Sequence, residues 1–492
     1  MQEISNLLKI LESFSSTGNN LLKDIKPNSL ESLFVANVLK GKFKTDKDAA
    51  LELYSTDQSD FRYKMLKHRI KKKIYRCLLV SELANLDVAF QKEQECLRLI
   101  SLSRLLLRKA QLDVVLGLCS KVKLAALEYE FNDLYLNALE IEAECLIDTG
   151  SLKELLKIKQ LQKEYERKVS LEKEAVSLFQ QAKAYVKSTV KHRKEHLNEL
   201  PSVIERLKYI WEDTQSFESY NAYFKTSMIL YELIGDFNAI IKLTERTEAY
   251  ISEGRVNPKR FDAKYNAYIL VYAHLRNKSF ERGLSFAEKF YPYFREATPN
   301  WFFYMENYFL LALHGKHYEL ASLLMNKVTS HINFKEKNKE AKERWQLYEA
   351  YLYFFKPALS THAEITYQNF ISSFTEYSKD KQGFNVAILV LQFMYFLRKN
   401  DSESLLYRIE SLKKYSSTHL KDAASLRSRL FLKLLMLIVT EDFDAEASSL
   451  KGAKYYQKLS ETPTPGDAFA EIEIIPYEHL WEMILEILKR RN

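Results

Sequence analysis

The strongest metal-binding string in the chain is His192-Arg193-Lys194-Glu195-His196, an H-x-x-E-H. On a helix, His192 and His196 stand one turn apart, where two imidazoles can share a zinc ion and Glu195 can act as general base. Its surroundings argue otherwise. Lys191, Arg193 and Lys194 place cations where the metal would sit, no third ligand is evident, and the strand-rich context of inverted zinc peptidases is missing. The string reads more simply as a solvated helix surface. His314 and His317 form an H-x-x-H around Gly315 and read as turn residues. Cys77, Cys96, Cys119 and Cys145 lie among Leu, Val and Ile without any C-x-x-C pair, which predicts buried, reduced thiols in a reducing compartment. Phosphate-cradling loops and nucleophile elbows need glycines, and no such motif is present. The expectation is no catalytic centre, no metal and no cofactor.

Two charge blocks and an aromatic stripe are the remaining candidates. From 61 to 81 there is no carboxylate, and the stretch carries Arg62, Lys64, Lys67, Arg69, Lys71, Lys72, Lys73 and Arg76. Leu66, Ile70, Ile74 and Leu78 recur every four residues, so one stripe packs inward while cations cover the rest. A second carboxylate-free helix, 97–112, adds Arg98, Arg104, Arg108 and Lys109. Such helices can follow a phosphate backbone or meet an acidic partner, with Tyr63 and Tyr75 as stacking faces. Alternatively, the acidic block 124–152, with Glu128, Glu130, Asp133, Glu140, Glu142, Glu144 and Asp148, folds back and neutralises them. In the middle of the chain, Tyr265, Tyr268 and Tyr272 fall on one side of a helix whose core stripe is Ala267, Leu270, Val271 and His274. They could line a binding groove, with Lys225 anchoring a peptide carboxylate, or seal the packing between helices. Trp301, Tyr304 and Tyr308 repeat the spacing and carry the same two readings.

The elements that must position these residues are helices. Among 492 residues only 11 are Gly and 9 Pro, where average usage would give about 59 together. Tight turns are therefore scarce, and sandwiches, barrels and propellers are disfavoured. Alternating patterns are nearly absent; 469–475 is the one plausible short strand. Breaks followed by an apolar residue occur at Leu112, Leu152, Phe237, Phe280, Tyr318 and Phe443, with a weaker one at 400–402. They recur about every 41 residues if two further breaks lie near 195 and 360. One break per such period predicts a helix pair per unit, and stacked pairs bury a continuous core. Small residues should occur where paired helices cross, and Gly283, Ala287 and Ala321 sit accordingly.

The break-aromatic-small pattern of Gly235-Asp236-Phe237, of Phe280 with Gly283 and Ala287, and of Tyr318 with Ala321 resembles the tetratricopeptide-like helical repeats. Family units are about 34 residues long, so these are longer and degenerate. The resemblance implies an all-α, right-handed superhelical solenoid of antiparallel helix hairpins that binds protein or peptide in a groove lined by first helices. The expected organisation is an N-terminal helical cap or small helical domain at 1–60, basic then acidic hairpins at 61–200, repeats at 201–460, and a loop with a C-terminal capping helix at 461–492. The start Met1-Gln2-Glu3-Ile4-Ser5 has neither the basic nor the apolar region of a secretory signal. The longest apolar stretches, 386–397 and 430–439, fall short of a bilayer span. A cytoplasmic, non-enzymatic scaffold away from membranes is expected, with nucleic-acid binding through Arg62, Lys64, Arg69, Lys72 and Lys73 as the alternative.

Overall fold

The computed structural model describes residues 1–14, 25–80, 86–186, 197–334, 339–356, 358, 384–421, 425–464 and 473–491. Within them the chain forms α-helices and two short 3-10 turns, and no strand. The break positions are where helices start. Leu112, Leu152, Phe237, Phe280 and Tyr318 are each the first residue of a helix, and the weaker break at 400–402 opens another at Ser402. Phe443 is the exception. It holds a positive φ of 64°, and the helix opens two residues later, because the Asp444 carboxylate takes the cap position and accepts from the Ala447 N–H. The breaks expected near 195 and 360, the His192–Glu195–His196 string and most of the expected strand 469–475 lie outside the described residues. Of that strand, residues 473–475 are irregular, with Ile474 and Ile475 buried.

The chain divides into two compact units, Met1–Val169 and Ser170–Asn492. In the first, α1 (Gln2–Phe14), α2 (Leu30–Leu39), α3 (Asp46–Tyr54) and α4 (Phe61–Val80) share one core built on Ile4, Leu8, Phe34, Tyr63, Leu66 and Ile70. The basic helix therefore belongs with the N-terminal residues, beyond the boundary expected at 60. A Thr45–Asp48 capping box opens α3. Next, α5 (Val88–Leu107), α6 (Leu112–Tyr129) and α7 (Asn132–Thr149) pack together around Val115, Cys119, Val122 and Ala138. Gly150, with φ 72°, ends α7 in a left-handed cap. Helix α8 (Leu152–Val186) follows, and the division between the units falls within it.

The second unit continues with α9 (Leu200–Thr214), α10 (Phe217–Ile234), α11 (Phe237–Ser252), α12 (Ala263–Arg276), α13 (Phe280–Phe290), α14 (Pro299–His314) and α15 (Tyr318–Thr329). Then come α16 (Lys339–Phe355), α17 (Asn385–Arg398), α18 (Ser402–His419), α19 (Leu426–Thr440), α20 (Ala445–Glu461) and α21 (Tyr477–Arg491). Consecutive helices pack on one another, and α12 also packs on α14 one unit further on, an arrangement compatible with a helical repeat. A single continuous core runs from Trp211 to Leu488. The expected small-residue crossing is present at Gly283. A Cβ there would come within 2.6 Å of Leu311 Cδ2 and 2.9 Å of His274 Cβ, and Ala287 and Ala321 are fully buried.

The C-terminal helix does more than close the last pair. It packs on α20 and also on α17, and its segment reaches turns far back in sequence. Glu478 pairs with Lys278 at 2.6 Å, Glu482 with Lys316 at 3.5 Å, and the Ile474 carbonyl lies 2.9 Å from His314 Nε2. Nothing in the local pattern of α21 signals these contacts, because they join residues some 160 to 200 positions apart.

Candidate functional site

On α12, burial leaves one stripe open. From Tyr265 to the end of the helix, every side chain is buried except Tyr265, Tyr268, Tyr272 and Arg276. Asp262 caps the helix through the Tyr265 N–H and so fixes where the stripe begins. Tyr265 is 41% exposed, while Tyr268 and Tyr272 are half-buried. The stripe is tied to its neighbours on both sides. Tyr272 Oη donates to Glu232 of α10 at 3.3 Å, and Tyr268 bonds the side chain of Asn307 on α14. Lys225, on α10, is half-buried with its ammonium 5.8 Å from the Phe179 ring centroid, and burial pulls its pKa below the usual lysine value. Burial pushes the Glu232 carboxyl up. The face thus joins amphipathic rings to two half-desolvated ionisable groups.

Of the two readings open for Trp301, Tyr304 and Tyr308 on α14, groove or packing, their burial fits packing, and Tyr304 does not lie on an open face. Tyr304 is fully buried, donates to the Ala287 carbonyl at 2.6 Å and stacks on Phe294 with centroids 4.0 Å apart. Trp301 and Tyr308 are buried too. Helix α14 packs on α12, α13 and α15, and its Phe309 and Glu306 meet Trp345 and Tyr348 of α16, so its aromatic spacing serves the core. The residues it does leave open past its first turn are Phe303, 53% exposed, and the half-buried Glu306, which accepts from Tyr348 Oη at 2.6 Å. Sequence reasoning missed Phe303, Glu306 and Glu232. Phe303 was legible in principle, since it stands with Glu306 at helical spacing on the side opposite Trp301 and Met305.

The basic helix α4 is neutralised in part, and by other residues than the acidic block. Arg69 and Lys73 pair with Glu31 of α2 at 3.0 and 2.6 Å, Lys71 with Glu3 of α1 at 2.5 Å, and Lys67 with Asp46 of α3 at 2.6 Å. Arg62 pairs with Asp60 at 3.0 Å. Tyr63, expected as a stacking face, is buried and donates to Asp46 at 2.7 Å. Three charge-assisted contacts, from Lys67, Tyr63 and the chain's amino group, outweigh desolvation and hold the Asp46 carboxyl far below the usual carboxylate range. Lys64, Lys72 and Arg76 make none of these pairs and are exposed. In the acidic block, Glu142 pairs with Lys123 of α6 at 2.5 Å, and Asn137 accepts from Arg104 of α5 at 2.8 Å.

The histidine pair of the α14–α15 turn does not converge. His314 is buried against the Ile474 carbonyl, and burial pulls its pKa down to about 3. His317 points outward to Glu281 at 2.8 Å. All four cysteines are buried and form no disulfide, and desolvation pushes Cys96 and Cys119 up to about 11. Among the described residues no three His, Cys, Asp or Glu side chains gather as a metal site, and no helix is long and apolar enough to cross a membrane. Comparison with known proteins found no matching family model, no matching curated protein and no matching solved structure.

Proposed function

We propose that the chain is a non-enzymatic scaffold that binds a protein or peptide segment along the face formed by α10, α12 and α14. In this reading the helix pairs are antiparallel hairpins stacked right-handedly, as in tetratricopeptide-like arrays, and the face is their concave side. The carrying observation is that α12 from Tyr265 onward keeps only Tyr265, Tyr268, Tyr272 and Arg276 from burial. Tyrosines give large, rigid contact area at low entropic cost and tolerate water when unoccupied, which suits a binding surface. Lys225 offers a cation for a carboxylate, and Phe303 extends the apolar area on α14. Four buried cysteines without a disulfide fit a cytoplasmic setting.

The test is selection of peptide ligands on the full chain, followed by affinity measurement on variants. Tyr265→Ala should weaken the selected ligands by about tenfold or more, whereas Tyr209→Ala, removing an exposed tyrosine of α9, should leave them unchanged. Equal binding by both variants would refute the assignment of the face.

The cationic helices at 61–112 support a second reading, nucleic-acid binding, through Lys64, Lys72 and Arg76. It has less behind it, because Arg62, Lys67, Arg69, Lys71 and Lys73 are occupied in ion pairs and Tyr63 is in the core. Its signature would be nucleic-acid affinity falling steeply with salt.

A further inference from the structure

Two long helices of the first unit end up with oppositely charged outer faces, and these two faces do not neutralise each other within the chain. On α4 the core side is Tyr63, Leu66, Ile70, Ile74 and Cys77. The flanks are held by Glu3, Glu31 and Asp46. What remains is a crest at four-residue spacing, Lys64, His68, Lys72 and Arg76, every one exposed. Exposed Met65 and Leu79, the latter 69% accessible, lie beside it. On α7 the buried residues include Leu134, Ala138, Ile141 and Cys145. The remaining side shows Asp133, Glu140, Glu144 and Asp148, all exposed and with no cation paired to them among the described residues, next to Ile147 at 61% exposure. Arg104 bonds Asn137 on the stripe's own side, and it touches the amide rather than a carboxylate.

The two stripes match in length as well as in sign. At 1.5 Å per residue, Lys64 to Arg76 spans about 18 Å and Asp133 to Asp148 about 22 Å. An unpaired like-charge row costs solvation and self-repulsion when brought near an apolar surface, but two opposite rows meeting in register relieve both and fix orientation. Phosphate backbones would use the cations of α4 but not Met65 and Leu79, and would be repelled by α7. A second copy of this chain uses both faces together with the flanking apolar side chains.

We infer that the chain self-associates through the cationic crest of α4 in one copy and the acidic stripe of α7 in the next. The contact is heterologous, so each copy presents one donor and one acceptor face. Sedimentation velocity of the full chain over a range of concentrations tests this. At low salt the wild type should form dimers or larger species, and raising sodium chloride from 0.05 to 0.5 M should weaken them roughly tenfold or more, as screening shortens to a few Å. Two variants carry the decision. Lys64→Glu/Lys72→Glu/Arg76→Glu and Glu140→Lys/Glu144→Lys/Asp148→Lys change only exposed side chains, and each should be monomeric alone. Mixed together, they should associate again, because the acidic α4 of one meets the basic α7 of the other. A wild type monomeric at low salt would overturn the inference. So would association that survives the α7 reversal, or a mixture of variants that stays monomeric. Binding of a single-stranded oligonucleotide that α4 reversal abolishes, with the wild type monomeric, would assign the crest to nucleic acid instead.

Discussion

Gly283 and His274 show how much a single position can carry in a stack of helices. The α13 backbone approaches α12 and α14 so closely that a methyl group at Gly283 would overlap Leu311 and His274. Gly283→Ala should cost about 1–3 kcal/mol as neighbours shift to admit it, read as a lowered urea midpoint. His274 is fully buried and stacks on Phe286 with centroids 5.3 Å apart, with neither ring nitrogen hydrogen-bonded. Desolvation lowers its pKa to about 4. The unfolded imidazole takes up a proton near pH 6.5 and the folded one does not, so stability falls as pH drops from about 6.5 toward 4. His274→Leu should flatten that decline by about 1 kcal/mol between pH 7 and 5.5, seen by comparing denaturation midpoints of the two proteins at both pH values. The core position of His274 was readable from its helical register; the missing hydrogen-bond partners were not, since they depend on which side chains surround it.

At the level of elements, the attachment of α21 is the clearest case of a contact that local pattern does not announce. Arg427, within the apolar helix α19, is almost fully buried. Its guanidinium meets Glu473 at 2.5 and 2.9 Å, Glu478 at 2.8 Å, and the carbonyls of Leu459 and Thr462 at 2.6 and 2.8 Å. Arg427→Ala would strand two carboxylates in the interior, and a loss of about 3–5 kcal/mol is expected. Hydrogen exchange of α21 should then rise well above that of α11, which makes no contact with this network. Despite desolvation, hydrogen bonds and attraction from Arg427 and Lys278 hold the Glu478 carboxyl down at about 2. That contribution is complete above the unfolded pKa near 4.3 and disappears as pH falls through 2. Wild-type α21 should therefore loosen between about pH 4 and 2, whereas Glu478→Gln should be weak already at pH 7.

Over the whole molecule, the two units differ in how their cores are built. The second has one large core from Trp211 to Leu488 with two small clusters beside it, at Ala175, Leu207, Ile210 and Ala222 and at Ala182, Leu200 and Leu230. Apolar burial in the first is divided between the α1–α4 cluster, the α5–α7 cluster and a small one at Leu139, Ala143, Leu146 and Ile158, with no comparably large core. Divided cores gain less from cooperativity, so the first unit should open first. The chain carries its own reporters. Cys77, Cys96, Cys119 and Cys145 all lie in the first unit, and Trp211, Trp301, Trp345 and Trp481 all lie in the second. In a urea series, thiol labelling should become fast at a lower concentration than the tryptophan fluorescence transition; coincident midpoints would show that the units unfold as one.

The amino-acid sequence determined the all-α class and the helix starts at Leu112, Leu152, Phe237, Phe280 and Tyr318. Scarce Gly and Pro leave few turns, so those breaks stand out, and 3.6-residue periodicity is a local property that needs no partner. It also determined that Tyr265, Tyr268 and Tyr272 lie off the core stripe of their helix. Tertiary structure alone decided which of several similar stripes stay open. Tyr304 repeats that spacing but is sealed, stacked on Phe294 and bonded to the Ala287 carbonyl, whereas Tyr265 stays 41% exposed. It also decided that Glu3, Glu31 and Asp46, rather than residues 124–152, pair with the cations of α4 that are neutralised. Charge along a sequence gives the amounts to be balanced, but Coulomb attraction at ion-pair distance depends on which helices the hydrophobic cores bring together.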